Sequence, residues 1–477
     1  MGEMVPKFYG GVGEIGGNRV LVEEGSTRVF LDFGMSFKNH GLYFEEYLKP
    51  RYASTGIKDL LRLHVLHYLP GIYRRDLLKL IDKPSDDDHL LSAVLLSHIH
   101  LDHAALVSLI DERVPIICSE ITEAYARALL KVGTRGLETE IPNYKRRPLM
   151  NVRDEPVERT FLVLRSGQEQ KVGPMTVTPY AVDHSVLGAT GYVLKTSNST
   201  LVYTGDLRFH GGAMAEESKK FVEAAAGSNP DILVCEGTRV TPEPESEERA
   251  ESSEELVRGK TINMIRASKG LIIGDFAFRD LTRLATFYRS AKDTGRVLVI
   301  NKRDAYLIDT FNKLPSMPFR LPSLNDKSIM IYVERKGTGT YAERDYQKWE
   351  RPYIEAPNAV RAEQIHDEQA KFLIHLTFFD VSELVDIDPA PGAVYIHSAS
   401  EPHHEEQWID LRRLENWLSF FKVERHHFHA SGHATAADIQ DLIAQVNPKK
   451  VYPIHTEHPE MFEQFHYNVK MPVLEPF

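Results

Sequence analysis

Cysteine is nearly missing from this chain: 477 residues contain two, Cys118 and Cys235. A disulfide-stapled fold is therefore excluded, and two free buried thiols in a reducing compartment are expected. No apolar run approaches the roughly 18 residues needed for a spanning helix, so no membrane partner is expected. The opening segment MGEMVPKFYGGVGE lacks a basic stretch followed by an apolar one. It is not a secretory signal, and a cytoplasmic location follows. Basic residues are in deficit, 57 against 68 acidic ones, a net charge of −11. Taken alone, that deficit argues against a polyanionic partner. With 42% hydrophobic and 26% charged residues the composition is that of a folded chain, not a disordered one. At roughly 150 residues per domain, the length suggests about three domains or two large ones.

What the chain does have is histidine, 21 in all. Nine lie between His40 and His210, none between Gly211 and Ile365, and twelve from His366 onward. Such a distribution suits a metal site drawing ligands from both ends of the chain, with a domain inserted between them.

Two apolar runs within residues 19–34 flank Glu24-Gly25-Ser26 and predict a hairpin. Residues 93–97 and 114–118 read as buried strands, and 121–132 as a helix ending at Gly133. Strands are expected at 175–182, 190–196, 199–206 and 231–237. Residues 243–255 hold seven Glu and one Arg, a solvated linker or helix start carrying about half of the net charge. Beyond it the apolar runs 270–276, 296–300 and 393–399 alternate with helical stretches such as 279–295, which implies a parallel sheet. Residues 320–365 yield no assignable elements. Helices are expected at 408–421 and 435–446, then a strand at 451–456. The reading is α/β, in three parts: 1–238, an inserted domain 239–424, and 425–477.

SHIHLDHAA (97–105) carries the strongest chemical signal. It sets His98, His100, Asp102 and His103 within six residues, directly after a strand. Imidazole and carboxylate suit zinc and similar cations. His98 and His100, two apart on extended chain, share a side, and Asp102 and His103 turn toward a second position. Four ligands this close can serve two neighbouring metals with open positions, an arrangement made for hydrolysis. Asp32 ends one strand, His184 follows another, and Asp206 ends LVYTGD.

In this order, these residues resemble the metallo-β-lactamase fold hydrolases. CEGT with Glu236, HASGH with His433 and YPIHTE with His455 look like the extra motifs of the β-CASP group. The spacing from His429 to His455 and the SASEP segment at 398–402 look most like ribonuclease J. The resemblance implies an αββα sandwich with an inserted α/β β-CASP domain. It also implies a metal held by His98, His100 and His184, and a second held by Asp102, His103 and His455. Asp206 would bridge them, and Asp32 would orient the ligands. Zinc is the first choice of metal, with manganese the alternative. The implied activity is two-metal hydrolysis of RNA, exonucleolytic from the 5′ end, endonucleolytic, or both, leaving 5′-phosphates. His433 would protonate the leaving 3′-oxygen, oriented by Glu236. A single-stranded RNA substrate and a homodimer are further implications. Ribonuclease J proteins usually carry another C-terminal domain, and only 22 residues follow His455 here, so that domain is expected to be missing. The family's Ser-Thr is Gly-Thr after Glu236, and the 65 residues between Asp32 and His98 exceed the usual number. Helices near 60–63 and 73–81 are expected within them, as a lid or an oligomer contact.

Thr435 and Asp438 predict a capping box, so Ser431 and Gly432 precede a helix start suited to a phosphate. His429 is either packed or a phosphate contact. Ser398 and Ser400 are candidates for another phosphate, the alternative being a plain turn. Lys145-Arg146-Arg147, after Tyr144, is a candidate RNA patch or a solvated face. His64 and His67 read as structural, and His403-His404 and His426-His427 as surface groups or supports to ligands. GGVGEIGG (10–17) reads as the hairpin turn beneath the site. Competing readings are a DNA nuclease of the Artemis type, a small-molecule hydrolase, and a scaffold that has lost its metals. The acidity is concentrated in 243–255 and in the proposed metal cup, so it does not exclude RNA.

Overall fold

A computed structural model describes residues 4–45, 47–85, 88–133, 136–148, 155–242, 253–400 and 405–477. The chain forms two compact units. One comprises Met1–Phe209, Met214–Pro244 and Gly432–Phe477, the other His210–Ala213 and Glu245–Ser431.

The first unit holds two six-stranded sheets. Strands Arg19–Glu24 and Thr27–Leu31 pair antiparallel around the Gly25 turn, as the apolar alternation predicts. Thr27–Leu31, Ala93–Leu95, Ile116–Cys118 and Phe161–Val163 then run parallel. In the other sheet Thr200–Tyr203, Ile232–Glu236 and Lys450–Ile454 are parallel, so a strand from the end of the chain sits beside one that precedes the insert. Val20, Val22, Leu31, Leu95, Val177, Leu194 and Val234 fill the space between the sheets. Helices Ala215–Gly227 and Ala436–Val446 cover the second sheet through Phe221, Val222, Ile439 and Leu442. This is the αββα metallo-β-lactamase sandwich.

Parallel strands put functional residues where they end. Asp32, Ser97-His98, Asp206 and His455 follow the carboxyl ends of parallel strands, and Glu236 is the last residue of one. Asp32 and His455 both turn there with positive φ, 57° and 53°, a left-handed conformation uncommon for non-glycine residues.

The second unit is built on a seven-stranded parallel sheet. Strands Ile272–Asp275, Val297–Ile300 and Val394–His397 match the predicted apolar runs. Helices Leu281–Asp293 and Glu405–Phe420 also match. Strand Glu424–His427 pairs with Val394–His397, so this sheet continues past the 424/425 boundary read from sequence. Residues 320–365 hold Ile329–Tyr332 and Ala359–Val360, strands too short to read from pattern alone. Lys302, Glu334, Lys336 and Glu350 form a largely buried ion cluster beside them. Most of the acidic stretch, Glu401-Pro402 and His403-His404 lie outside the described residues. Ser253 caps helix Glu254–Ala267.

Short helices Lys58–Arg62 and Arg75–Lys79 occupy the long segment before His98. His67 is structural: its Nε2 meets the carbonyl of Glu475 at 2.8 Å, and its ring stacks on Phe477. Cys118 and Cys235 are free and buried.

Candidate metal centre

Three groups of side chains present ligand atoms within 4.8 Å of one another. They are His98, His100 and His184; Asp102, His103, Asp206 and His455; and Asp206, Glu236, His433 and His455. His98 Nε2 and His184 Nε2 each lie 3.1 Å from His100 Nδ1. Asp206 sits at the centre. Its Oδ2 is 3.0 Å from His103 Nε2, 3.6 Å from those of His98 and His455, and 3.8 Å from that of His184.

Four of the rings are anchored by their outer nitrogens. His98 Nδ1 donates to Ser97 Oγ at 3.0 Å, and His103 Nδ1 to Asp32 Oδ2 at 2.7 Å. His184 Nδ1 donates to the Gly432 carbonyl at 2.5 Å, and His455 Nδ1 to Thr238 Oγ1 at 2.8 Å. Each bond fixes the tautomer and leaves the Nε2 lone pair directed into the cup.

Asp32 is fully buried and gathers several donors. It accepts from the Ser97 amide and hydroxyl at 2.6 Å each and from the Tyr203 hydroxyl at 2.6 Å. Tyr203 in turn takes the Asn18 amide at 3.1 Å. The glycine-rich loop 11–18 closes the cup from below. A Cβ on Gly16, at φ 82°, would stand 2.7 Å from Asp102 Oδ2. One on Gly34 would overlap the Asp102 carbonyl oxygen at 1.6 Å.

The electrostatics match a cation-binding cup. Burial and neighbouring histidines push His98 and His184 well below the usual histidine range, so both rings are neutral and able to ligate. Burial also opposes charge on His103, but Asp206, Asp102 and Asp32 outweigh it and hold a proton there. A divalent cation would take that proton's place. Among the described residues Asp206 Oδ1 is buried without a hydrogen-bond partner, a large cost unless a cation meets it. Nitrogen and oxygen donors, an orphaned carboxylate oxygen and anchored rings all fit divalent metal ions.

Glu236 and His433 adjoin the cup. His433 Nδ1 lies 3.2 and 3.1 Å from the two Glu236 oxygens. Burial lowers the His433 pKa, but Glu236 and Asp206 more than compensate and raise it to about 8. Thr238, whose role the sequence did not reveal, donates to Glu236 Oε2 at 2.7 Å while accepting from His455.

The phosphate candidates are distributed differently. Gly432 falls in the first unit, and Ser398, Ser400, His429 and Ser431 in the second. Ser398 is buried, donates to the Phe428 carbonyl at 2.6 Å and receives Arg283 Nη1 at 2.5 Å. Its hydroxyl is committed to these two partners, which favours the plain-turn alternative. Ser400 is exposed. His429 Nδ1 is 3.5 Å from Arg283, and burial and that guanidinium push its pKa well down. Arg283 is itself fully buried against Glu254, a position that no local pattern marks. The Lys145–Arg147 patch has partners of its own within the first unit. Arg147 grips Glu140 through two contacts of 2.8 and 2.9 Å, while Arg146, largely exposed, meets Glu112 at 3.3 Å.

Comparison with known proteins agrees with this geometry. Residues 70–266 match the family model described as a Beta-lactamase superfamily domain. Residues 421–470 match the Zn-dependent metallo-hydrolase RNA specificity domain. Ribonuclease J of Sinorhizobium meliloti is 21% identical over 385 residues, 77% of this chain and 58% of that protein. Ribonuclease J 2 of Streptococcus pyogenes is 22% identical over 462 residues, 95% of this chain and 69% of that protein. The chain thus spans less than two thirds of the first relative's length. A crystal structure of a protein of unknown function from Enterococcus faecalis shares the fold along 100% of this chain and 98% of its own, with a TM-score of 0.73 at 21% identity.

Fold and site together define a metallo-β-lactamase fold with a β-CASP insert whose clustered side chains fit divalent metal ions. Within that fold the chain is similar to the ribonuclease J proteins it matches. Among the described residues no helix is long and apolar enough to cross a membrane.

Proposed function

We propose that this protein hydrolyses phosphodiester bonds of single-stranded RNA with two divalent metal ions, zinc first and manganese as the alternative, releasing 5′-phosphate products. The observation that carries the reading is the set of four imidazoles anchored through Nδ1 whose Nε2 atoms surround Asp206. His98, His100 and His184 would hold one ion, Asp102, His103 and His455 the other, with Asp206 shared. When bound, the pair supplies Lewis acidity and brings the pKa of a water toward neutrality. Asp32 and Ser97 keep His103 and His98 aimed. His433, its pKa raised to about 8, keeps its proton near neutral pH and delivers it to the leaving 3′-oxygen. Glu236 and Thr238 hold His433 in place for that transfer. The Zn-dependent RNA specificity match and the ribonuclease J relatives support RNA over DNA. Two buried free thiols support action in the cytoplasm.

The test is hydrolysis of matched RNA bearing a 5′-monophosphate or a 5′-triphosphate, with DNA alongside and His98→Ala as control. Cleavage of RNA lost in His98→Ala supports the reading, and mononucleotides released only from the monophosphate identify a 5′-exonuclease. Preference for DNA, or full activity in His98→Ala, overturns it. Sedimentation of the same metal-loaded protein tests the homodimer.

A further inference from the structure

The glycine-rich loop 11–18 and Tyr203 take no part in the chemistry proposed above, yet both are bonded to one half of the metal cup. Asn18 and Tyr203 are buried. The main-chain amide of Asn18 donates to the Asp102 carbonyl at 2.9 Å. Its side-chain amide donates to the Tyr203 hydroxyl at 3.1 Å, and that hydroxyl donates to Asp32 Oδ2 at 2.6 Å. The same Asp32 oxygen receives His103 Nδ1 at 2.7 Å. At the other end of the loop the Gly11 carbonyl accepts the His455 amide at 2.9 Å, and Glu14 bridges to Thr456, the residue after His455. Asp102, His103 and His455 are the three side chains read as belonging to the second ion alone.

Side chains read for the other ion are held from elsewhere. His184 Nδ1 donates to the Gly432 carbonyl at 2.5 Å, and His98 Nδ1 to Ser97 Oγ at 3.0 Å. Ser97 does connect His98 to Asp32, but by two bonds of its own: its amide to Oδ1 and its hydroxyl to Oδ2, each at 2.6 Å. Loss of the Tyr203 hydroxyl leaves both of these in place. It strips Oδ2 of the donor that ties it to the loop, and the His103 bond falls on that oxygen. A hydrogen bond from a hydroxyl to a buried carboxylate is among the stronger ones, and an imidazole aims its ligand nitrogen only as well as the acceptor behind it is fixed.

The structure assigns to Asn18 and Tyr203 the role of positioning residues for one ion of the pair. Through them the loop sets the affinity of the position formed by Asp102, His103 and His455, and leaves the position formed by His98, His100 and His184 to supports such as Ser97 and Gly432. The inference rests on the two-metal reading. It makes the two positions separable although they share Asp206. One residue, Asn18, reaches Asp102 through its main chain and His103 through its side chain, Tyr203 and Asp32.

The experiment measures bound zinc per chain, without RNA, as free zinc is lowered with a buffered chelator. Wild type is compared with Tyr203→Phe and Asn18→Ala. Each variant is expected to release one ion at about 10- to 100-fold higher free zinc than wild type and to keep the other. Backgrounds with one position disabled identify the ion released. Tyr203→Phe is expected to weaken zinc binding in His184→Ala, which retains the second position, and to leave it unchanged in Asp102→Ala, which retains the first. Circular dichroism checks folding, and should Tyr203→Phe fail to fold, Asn18→Ala, which keeps the phenol and the main-chain amide, carries the comparison. Two ions in wild type, with both weakened equally or neither weakened in the variants, overturn the inference and leave the two-metal reading standing. A wild-type chain that holds one ion or none overturns that reading and the inference together.

Discussion

The Nδ1 of His184 donates a 2.5 Å hydrogen bond to the carbonyl oxygen of Gly432, 248 residues further along the chain. A proposed metal ligand from one end of the sequence is thus oriented by backbone from the other. A Cβ on Gly432 would stand 2.7 Å from Ser185 Oγ and 3.1 Å from His184 Cε1. Gly432→Ala is therefore expected to tilt the ring and weaken metal binding about 10- to 100-fold, the usual cost of disturbing such a support. Chelator competition followed by metal analysis checks this.

Thr238 joins two parts of the site through one hydroxyl. Thr238→Val keeps the shape but removes the donor to Glu236 and the acceptor for His455. Activity is expected to fall about 10- to 100-fold with little change in fold, and Thr238→Ser to recover most of it. Steady-state kinetics of the two variants, with melting curves as control, decide the matter.

Removing the metals should be felt as instability as well as inactivity. Asp102, Asp206 and Glu236 share one buried cup, and Asp206 Oδ1 has no hydrogen-bond partner among the described residues. Chelation is expected to lower the melting temperature, and re-addition to restore it by mass action. An unchanged calorimetric transition after complete metal removal would count against ligation by these residues.

A separate pH response belongs to the second unit. His375 is buried, donates to Asp304 at 2.5 Å and stacks on Phe276. Burial lowers its pKa, but Asp304 outweighs burial and raises it to about 9. A raised value means the pair's contribution is complete below the unfolded pKa of about 6.5 and is lost as pH climbs through about 9, at most about 3 kcal/mol. Urea unfolding should show stability declining across that window, with a flatter profile in His375→Gln.

The metal cup was legible in the sequence because its residues follow strands with strong apolar patterns and because HxHxDH is dense. Asp32, His98, Asp206 and His455 needed only strand ends to be located. Tyr203, Thr238 and Arg283 were not legible, because each acts through partners far away in sequence. Tyr203 lies 171 residues from Asp32, Thr238 217 from His455, and Arg283 115 from Ser398. No local pattern marks a tyrosine or threonine for such a contact. Ser398 stayed open between phosphate contact and plain turn for the same reason: the arginine that meets it lies 115 residues away. In 320–365, strands of four and two residues, paired parallel and packed through Tyr332 and Val360, are too short to leave a period to read.

The pairing of Ile232–Glu236 with Lys450–Ile454 has a consequence for biosynthesis. Chains emerge from the ribosome amino end first and fold as they go. His98, His100, His184 and Asp206 are translated long before His455, and the strand that carries His455 lies at the edge of its sheet. A partly made chain therefore lacks both the last proposed ligand and the Gly432 carbonyl that steadies His184. The proposed metal centre is complete only once Gly432 and His455 have both been made, so a nascent chain that stops short of them lacks it.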